Sequence, residues 1–376
     1  MSLHAFLWIG VSSVVILSWR EGYDPEIAAL FKDEESDGKG KYSISAKTMR
    51  ERLNLLGYTR DRTTKIVEDG WADRKHIEDK YDEGTLEELV SDYMRNIGRP
   101  GEWPGAPNES EQRFQEQLGY IWGQERATLK YIVDRLDDDV PVVMDLSELV
   151  QYEDMNVTST VCSEAWFSER LSPTGAVPAV VLVEGTTDAQ LLARVMRLRR
   201  PQYCDYLTFF DYSRKPSGGV ASVVQAARAF AAAGIGNQTL ALFDNDAEGK
   251  NGLKQLSNPP LPASIHIATL PDLPHLESYP AIGPDGEKNT DIRGRAASLE
   301  LYFGEDILMP DSEPSPIQWT AYRQEVKAYQ GSLIAKTEIQ NRFDRKLKQA
   351  EEGTPDSSFD WEPIEAVLEH IVAQFT

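Results

Sequence analysis

The sequence predicts an α/β fold: a small parallel sheet flanked by helices, preceded by an α+β N-terminal domain and followed by a helical C-terminal tail. Three observations lead there. From residue 178 to about residue 270, short β-branched runs alternate strictly with helical patterns, as parallel strands joined by right-handed crossovers do. Two of those runs end in carboxylates: Glu184 in "VVLVEG", and Asp244 with Asp246 in "LALFDND". The residues before them lack the alternation, and the Pro/Gly break "SPTGAVP" separates the two regimes. The expected domains are therefore 1–172, 173–310 and 311–376.

The elements follow in order. "HAFLWIGVSSVVILSW" has no Lys or Arg before it, no small-residue cleavage site, and fewer than the roughly 20 apolar residues that span a bilayer. Its β-branched and aromatic residues predict two short strands joined by a turn near Gly10. Residues 24–60 look mixed and polar, and "ESDGKGKYS" reads as a surface loop. Thr85 and Glu88 form a capping box for a helix over 85–97, with Leu86, Leu89, Val90, Tyr93, Met94 and Ile97 on one face and Gly98 and Pro100 ending it. Residues 109–136 read as another helix, and "VPVVMDLSELV" begins as a strand. Then come "AVVLVEG" (strand), "DAQLLARVMRLRR" (helix), "YLTFFDY" (strand) and the alanine-rich helix "SVVQAARAFAAAG" ended by Gly234. "QTLALFDND" (strand), "KNGLKQL" (short helix) and "SIHIATL" (strand) complete the sheet. After "MPDSEPSP", one helix is expected near 335–350 and one near 362–375.

Composition limits the function. The mean hydropathy of −0.44 fits a soluble protein. Net charge is −22, yet residues 171–300 hold 12 Lys and Arg against 13 Asp and Glu, so the acidity lies outside the middle third. An acidic chain is not a bulk binder of nucleic acid, because counterion release needs cations on phosphate. A local patch or a metal has to bring a polyanion in. Cys162 and Cys204, with no CxxC pair, exclude a zinc ribbon and predict a reducing, cytoplasmic setting. Cys204 reads as a small buried thiol, and His266 and His275 as structural histidines.

In a parallel sheet, ligands gather at the carboxyl ends of strands. Asp244 and Asp246, two apart on a strand end, leave on the same side. Carboxylates crowded there repel unless a cation joins them, and hard oxygens suit Mg²⁺ or Mn²⁺. Gly185 and Gly249 leave room beside them. An EF-hand reading of "FDNDAEG" fails, because its twelfth position is Gln255 and a strand precedes it. An aspartyl-phosphate phosphatase reading fails at Glu248, where that motif has Thr or Val, and leaves Glu184 unexplained. The bland alternative is that Asp246 caps the next helix and Glu184 pairs with an arginine. Asp188 is either a further ligand or a cap. Arg194, Arg197, Arg199 and Arg200 suit a helix C-terminus. Lys336, Arg342, Arg345, Lys346 and Lys348 give a late helix a basic side, which is either a nucleic-acid contact or a solvated face.

Glu-Gly after a first strand and Asp-x-Asp after a third resemble the Toprim domain shared by topoisomerases, primases and OLD-type nucleases. The resemblance covers about residues 178–305. "GRAASLELYF" resembles the segment after the core in nuclease-type members and adds Glu300 as a further acid. The opening "FLWIG…ILSW…DPEIAALF" resembles the HEPN/Toprim-associated family. None of the five histidines (His4, His76, His266, His275, His370) follows an Arg at the HEPN ribonuclease spacing, so the Toprim option is the one expected. The resemblance implies an Mg²⁺-dependent endonuclease of prokaryotic antiviral defence, with Glu184, Asp188, Asp244, Asp246 and Glu300 around the metal. Lys250 and Lys254, just past the Asp-x-Asp, either contact phosphate, with Lys250 as a catalytic cation, or are two solvated lysines on a short helix; Arg342, Arg345 and Lys346 on the late helix either contact DNA or RNA or face solvent. No GxxxxGK[ST] occurs, so an ATPase would come from a partner chain. Homo-oligomerisation is left open, and no membrane partner is expected. A non-catalytic binding or sensing module is the competing expectation.

Overall fold

The computed structural model describes every residue except 1–3, 11–13, 21, 78–84, 96–123, 152–159, 172–176, 211–217, 285, 310–312, 356, 358 and 376. The chain forms two compact units, Met1–Val177 and Pro178–Phe375.

The first unit holds an antiparallel sheet of β1 (His4–Ile9), β2 (Val14–Arg20), β3 (Lys41–Ser45) and β4 (Pro141–Asp145), in the order β2-β1-β4-β3. The first two strands are the expected hairpin. Ala5, Leu7 and Ile9 of β1 are fully buried, and Leu53, Tyr93 and Ile132 from helices fill the same core. The helix Leu86–Met94 opens with the expected capping box: Glu88 N–H donates to Thr85 Oγ1 at 3.2 Å, and Thr85 N–H to Glu88 Oε2 at 2.8 Å. Its expected end at Ile97, Gly98 and Pro100 lies outside the described residues. Of the helix expected over 109–136, the described part is Glu125–Val133.

Residues 24–60 are more ordered than their polarity suggests. "KYSIS" is β3, and Ser45 caps the helix Ala46–Leu55. The polar reading failed because charge is buried here. Arg52 is fully buried, donates to Leu30 O at 2.7 Å and pairs with both carboxylate oxygens of Glu35.

The second unit contains the predicted parallel sheet. β5 (Ala179–Leu182), β6 (Leu207–Phe209), β7 (Thr239–Phe243) and β9 (Ile265–Thr269) run parallel in the order β6-β5-β7-β9, with β8 (Asn245–Asp246) just after β7. All five residues of β7 are buried, as a strand covered on both faces requires. The helices Thr186–Arg199, Val220–Ala233 and Ala247–Leu256 flank the sheet. Gly234, at φ +64°, ends the second of these in the left-handed conformation.

A second sheet was not foreseen. It comprises β10 (Tyr279–Gly283), β11 (Gly286–Thr290), β13 (Ile317–Arg323) and β14 (Ala328–Leu333), in the order β11-β10-β13-β14. A two-residue strand, β12 (Ala296–Ala297), pairs with β8. Of β13 only Ile317 is buried, and of β14 only Gly331 and Leu333, so the period-2 hydrophobic signal is too weak to read. The tail expected to be helical therefore begins with a hairpin. Its two expected helices follow as Lys336–Glu351 and Glu362–Ala373.

Those helices are tied to the parallel sheet by the basic run. Arg194 pairs with Asp344 at 2.5 Å and Glu351 at 2.9 Å, Arg199 with Glu365 at 2.5 Å, and Arg200 with Glu369 at 3.0 Å. Among the described residues, no helix is long and apolar enough to cross a membrane.

Candidate functional site

The chain runs from β5 to β6 on one side, then crosses to β7 on the other, so the sheet's topological switch lies between β5 and β7. A crevice opens at such a point, at the strands' carboxyl ends. Glu184 stands two residues past β5, and Asp244 directly follows β7. Asp244 N–H donates to Glu184 Oε1 at 3.1 Å. Asp244 Oδ1 in turn accepts Leu299 N–H at 3.1 Å, from the short 3-10 turn after β12. Asp188, in the first turn of the next helix, joins Glu184 and Asp244 around a cavity of about 10 Å³ otherwise lined by Val183, Leu192, Leu242, Phe243, Leu270 and Leu299. That is roughly the space of one water-sized probe.

Three carboxyls against aliphatic side chains cannot all ionise cheaply. Burial, then the Asp246 charge, pushes Glu184 up to about 7. Burial, then Glu300, pushes Asp188 up to about 6, while the Gly185 backbone N–H acts the other way. Asp244 is raised well above the usual carboxylate range by burial and then by Glu184. The glycines fit this crowding. A Cβ on Gly185 would come within 2.9 Å of Asp188 Oδ2, and one on Gly249 within 2.1 Å of Asp244 O. Gly185 thus makes room for Asp188, and Gly249 lets its helix start against the end of β7.

Asp246 is nearly buried and has both oxygens engaged. Oδ1 accepts Gly249 N–H at 2.7 Å, which makes Asp246 the N-cap of Ala247–Leu256. Oδ2 accepts the Gln330 amide at 2.6 Å, and Gln330 Oε1 accepts Glu248 N–H at 3.0 Å. The capping alternative for Asp246 therefore holds, and its charge still acts on Glu184.

Glu300 is fully buried and well partnered. It accepts from Ser298 Oγ at 2.6 Å and Gln340 Nε2 at 2.7 Å, with Lys336 Nζ at 3.1 Å. Burial works against the Lys336 charge, but Glu300, Asp244 and Asp188 outweigh it and raise its pKa. Sequence reasoning placed Lys336 only on a basic helix face and missed Ser298, Gln330 and Gln340. The one available signal was Lys336 at the start of that helix.

The expected nucleic-acid cations fare unevenly. Lys250 is exposed, and its side chain lies over Gly294. Lys254 Nζ donates to Glu325 O at 3.1 Å. Arg342 pairs with Glu338 within its own helix, and Arg345 is exposed, with Nε 3.4 Å from Asn341 O. Lys346 is a correction. It is 2% exposed, donates to Phe303 O and Asp306 Oδ1 at 2.9 Å each, and sits 4.5 Å over the Trp361 ring, so it is not presented to a ligand. The histidines are structural as expected: His266 Nε2 bonds to Gln238 Oε1 and His275 Nε2 to Leu301 O, each at 2.9 Å.

Hard carboxylate oxygens in a negative, partly dry site suit a small divalent cation. Among the described residues, no three His, Cys, Asp or Glu side chains stand as a ready-made ligand set, so coordination requires side-chain adjustment. No protein-family model, curated protein or solved structure matches the chain.

Proposed function

We propose that the second unit is a Toprim-type, Mg²⁺- or Mn²⁺-dependent endonuclease. One observation carries the reading: the Asp244 N–H bonded to the Glu184 carboxylate, which couples the ends of two adjacent parallel strands at the topological switch. The strand order, with acids after the first and third strands, supports the same assignment. The N-terminal resemblance extends it to prokaryotic antiviral defence, with any ATPase on a partner chain.

Glu184, Asp188 and Asp244 would hold the cation, with Asp246 and Glu300 adding negative charge behind them. A bound cation supplies positive charge that polarises a phosphate and acidifies water. The chain's own part is protonic and positional. Glu184, raised to about 7, and Asp188, raised to about 6, release protons as a cation binds. Lys336 neutralises Glu300 and keeps the outer acid from competing. Lys250, exposed one turn past Asp246, would turn from Gly294 toward a phosphate. A second reading, a module that grips phosphate without cutting it, is favoured by the engagement of both Asp246 oxygens.

The test is cleavage of single- and double-stranded DNA and RNA with Mg²⁺ or Mn²⁺, with and without the products of neighbouring genes. Wild type should cut, and Asp244→Ala and Glu184→Ala should each lower the rate by about 100-fold or more. Absence of cleavage by wild type under every condition sinks the enzyme reading. Unchanged cleavage by both variants means the site is misassigned.

A further inference from the structure

A groove of about 380 Å³ opens on the second sheet, with Trp319, Tyr329, Lys288 and Arg295 in its lining. We propose that it binds an unpaired segment of nucleic acid and leads it to the carboxylate site. This rests on the reading of the unit as acting on nucleic acid.

Three features carry the proposal. The first is an aromatic platform. Tyr329 is 58% exposed and Tyr322 46%. Tyr329 meets Tyr322 edge-on at 5.1 Å and Trp319 at 6.3 Å. Gly331 lies beneath, where a Cβ would come within 3.1 Å of the Trp319 ring, so its absence lets the indole settle on the strand. The second is charge. The described groove lining includes the cations Lys288 and Arg295, in a chain of net charge −22. Rings beside cations suit bases and phosphates together. Paired bases hide their faces, so the platform selects single strands.

The third is continuity with the carboxylates. Gly331 N–H donates to Arg295 O at 3.1 Å, and Arg295 forms a β-bridge with Asp246. Gln330, the residue after Tyr329, holds Asp246 Oδ2. A strand in the groove is thus flanked by the same two segments that position Asp246.

Binding is measured by fluorescence anisotropy on the full chain in EDTA, so that it is separate from cutting. The probes are a labelled single-stranded oligonucleotide of about ten residues, as DNA and as RNA, and the matching duplex. Wild type should bind the single strands more tightly than the duplex. Tyr329→Ala should weaken that binding about tenfold, the effect of losing one stacked base. Lys288→Glu should weaken it and flatten its salt dependence. Both side chains are exposed, and each variant should keep the wild-type thermal transition. No single-strand binding, or both variants binding like wild type, overturns the proposal. So does absent binding with Tyr329→Ala dispersing a self-associated wild type, which would make the groove an interface between copies. Intact binding without cleavage would refute the nuclease alone, and cleavage without groove-dependent binding would refute the groove alone.

Discussion

Glu184→Gln isolates the electrostatic cost of the site. In the folded protein Glu184 is raised from 4.5 to about 7, by burial first and by the Asp246 charge second. The folded state therefore holds this proton more tightly than the unfolded chain does. The resulting stabilisation is fully present below pH 4.5 and is lost as pH rises toward 7. The full rise corresponds to about 3 kcal/mol. Gln keeps the volume and an amide oxygen that can accept the Asp244 N–H, but it cannot ionise. In EDTA, urea denaturation followed by circular dichroism should show Glu184→Gln gaining on wild type by up to about 3 kcal/mol between pH 4.5 and pH 8. Mg²⁺ at 1,000 times the wild-type Kd should reverse the order at pH 8, because only wild type offers the cation the Glu184 carboxylate; binding at that concentration contributes about 4.1 kcal/mol. A gap between variant and wild type that does not change with pH would refute the reasoning, since the carboxyl would then hold its proton equally well folded and unfolded.

Two further outcomes follow from the packing. Gly249→Ala should destabilise by roughly 2–4 kcal/mol in thermal or urea melts, because its Cβ would sit 2.1 Å from Asp244 O and push the helix off the strand end. Lys336→Met should cost about 1–3 kcal/mol in urea melts, since it removes the cation 3.1 Å from a fully buried acid.

The sheet and the heart of the site were legible because a buried parallel strand has a strong signature. "VVLVEG" and "LALFDND" are continuous apolar runs that stop on an acid, and the Asp244 N–H reaches the Glu184 carboxylate. The partners of those acids were not legible. Gln330 reaches Asp246 across 84 residues and Gln340 reaches Glu300 across 40, and no local pattern encodes such contacts. Lys346 misled for a different reason. On a helix with a basic side a lysine reads as solvated, yet this one lies against Phe343 and Trp361 while carbonyls satisfy its ammonium. Arg194, Arg199 and Arg200 looked like a helix-end charge run, and their carboxylate partners lie 150 residues or more downstream.

The central claim is that Glu184 and Asp244 share a divalent cation. Anomalous diffraction from crystals soaked in Mn²⁺ tests it most directly. Wild type should show an Mn²⁺ peak in contact with both carboxylates, and Asp244→Asn should show none. A soaked wild-type crystal with no peak there, or with a peak touching neither side chain, would contradict it.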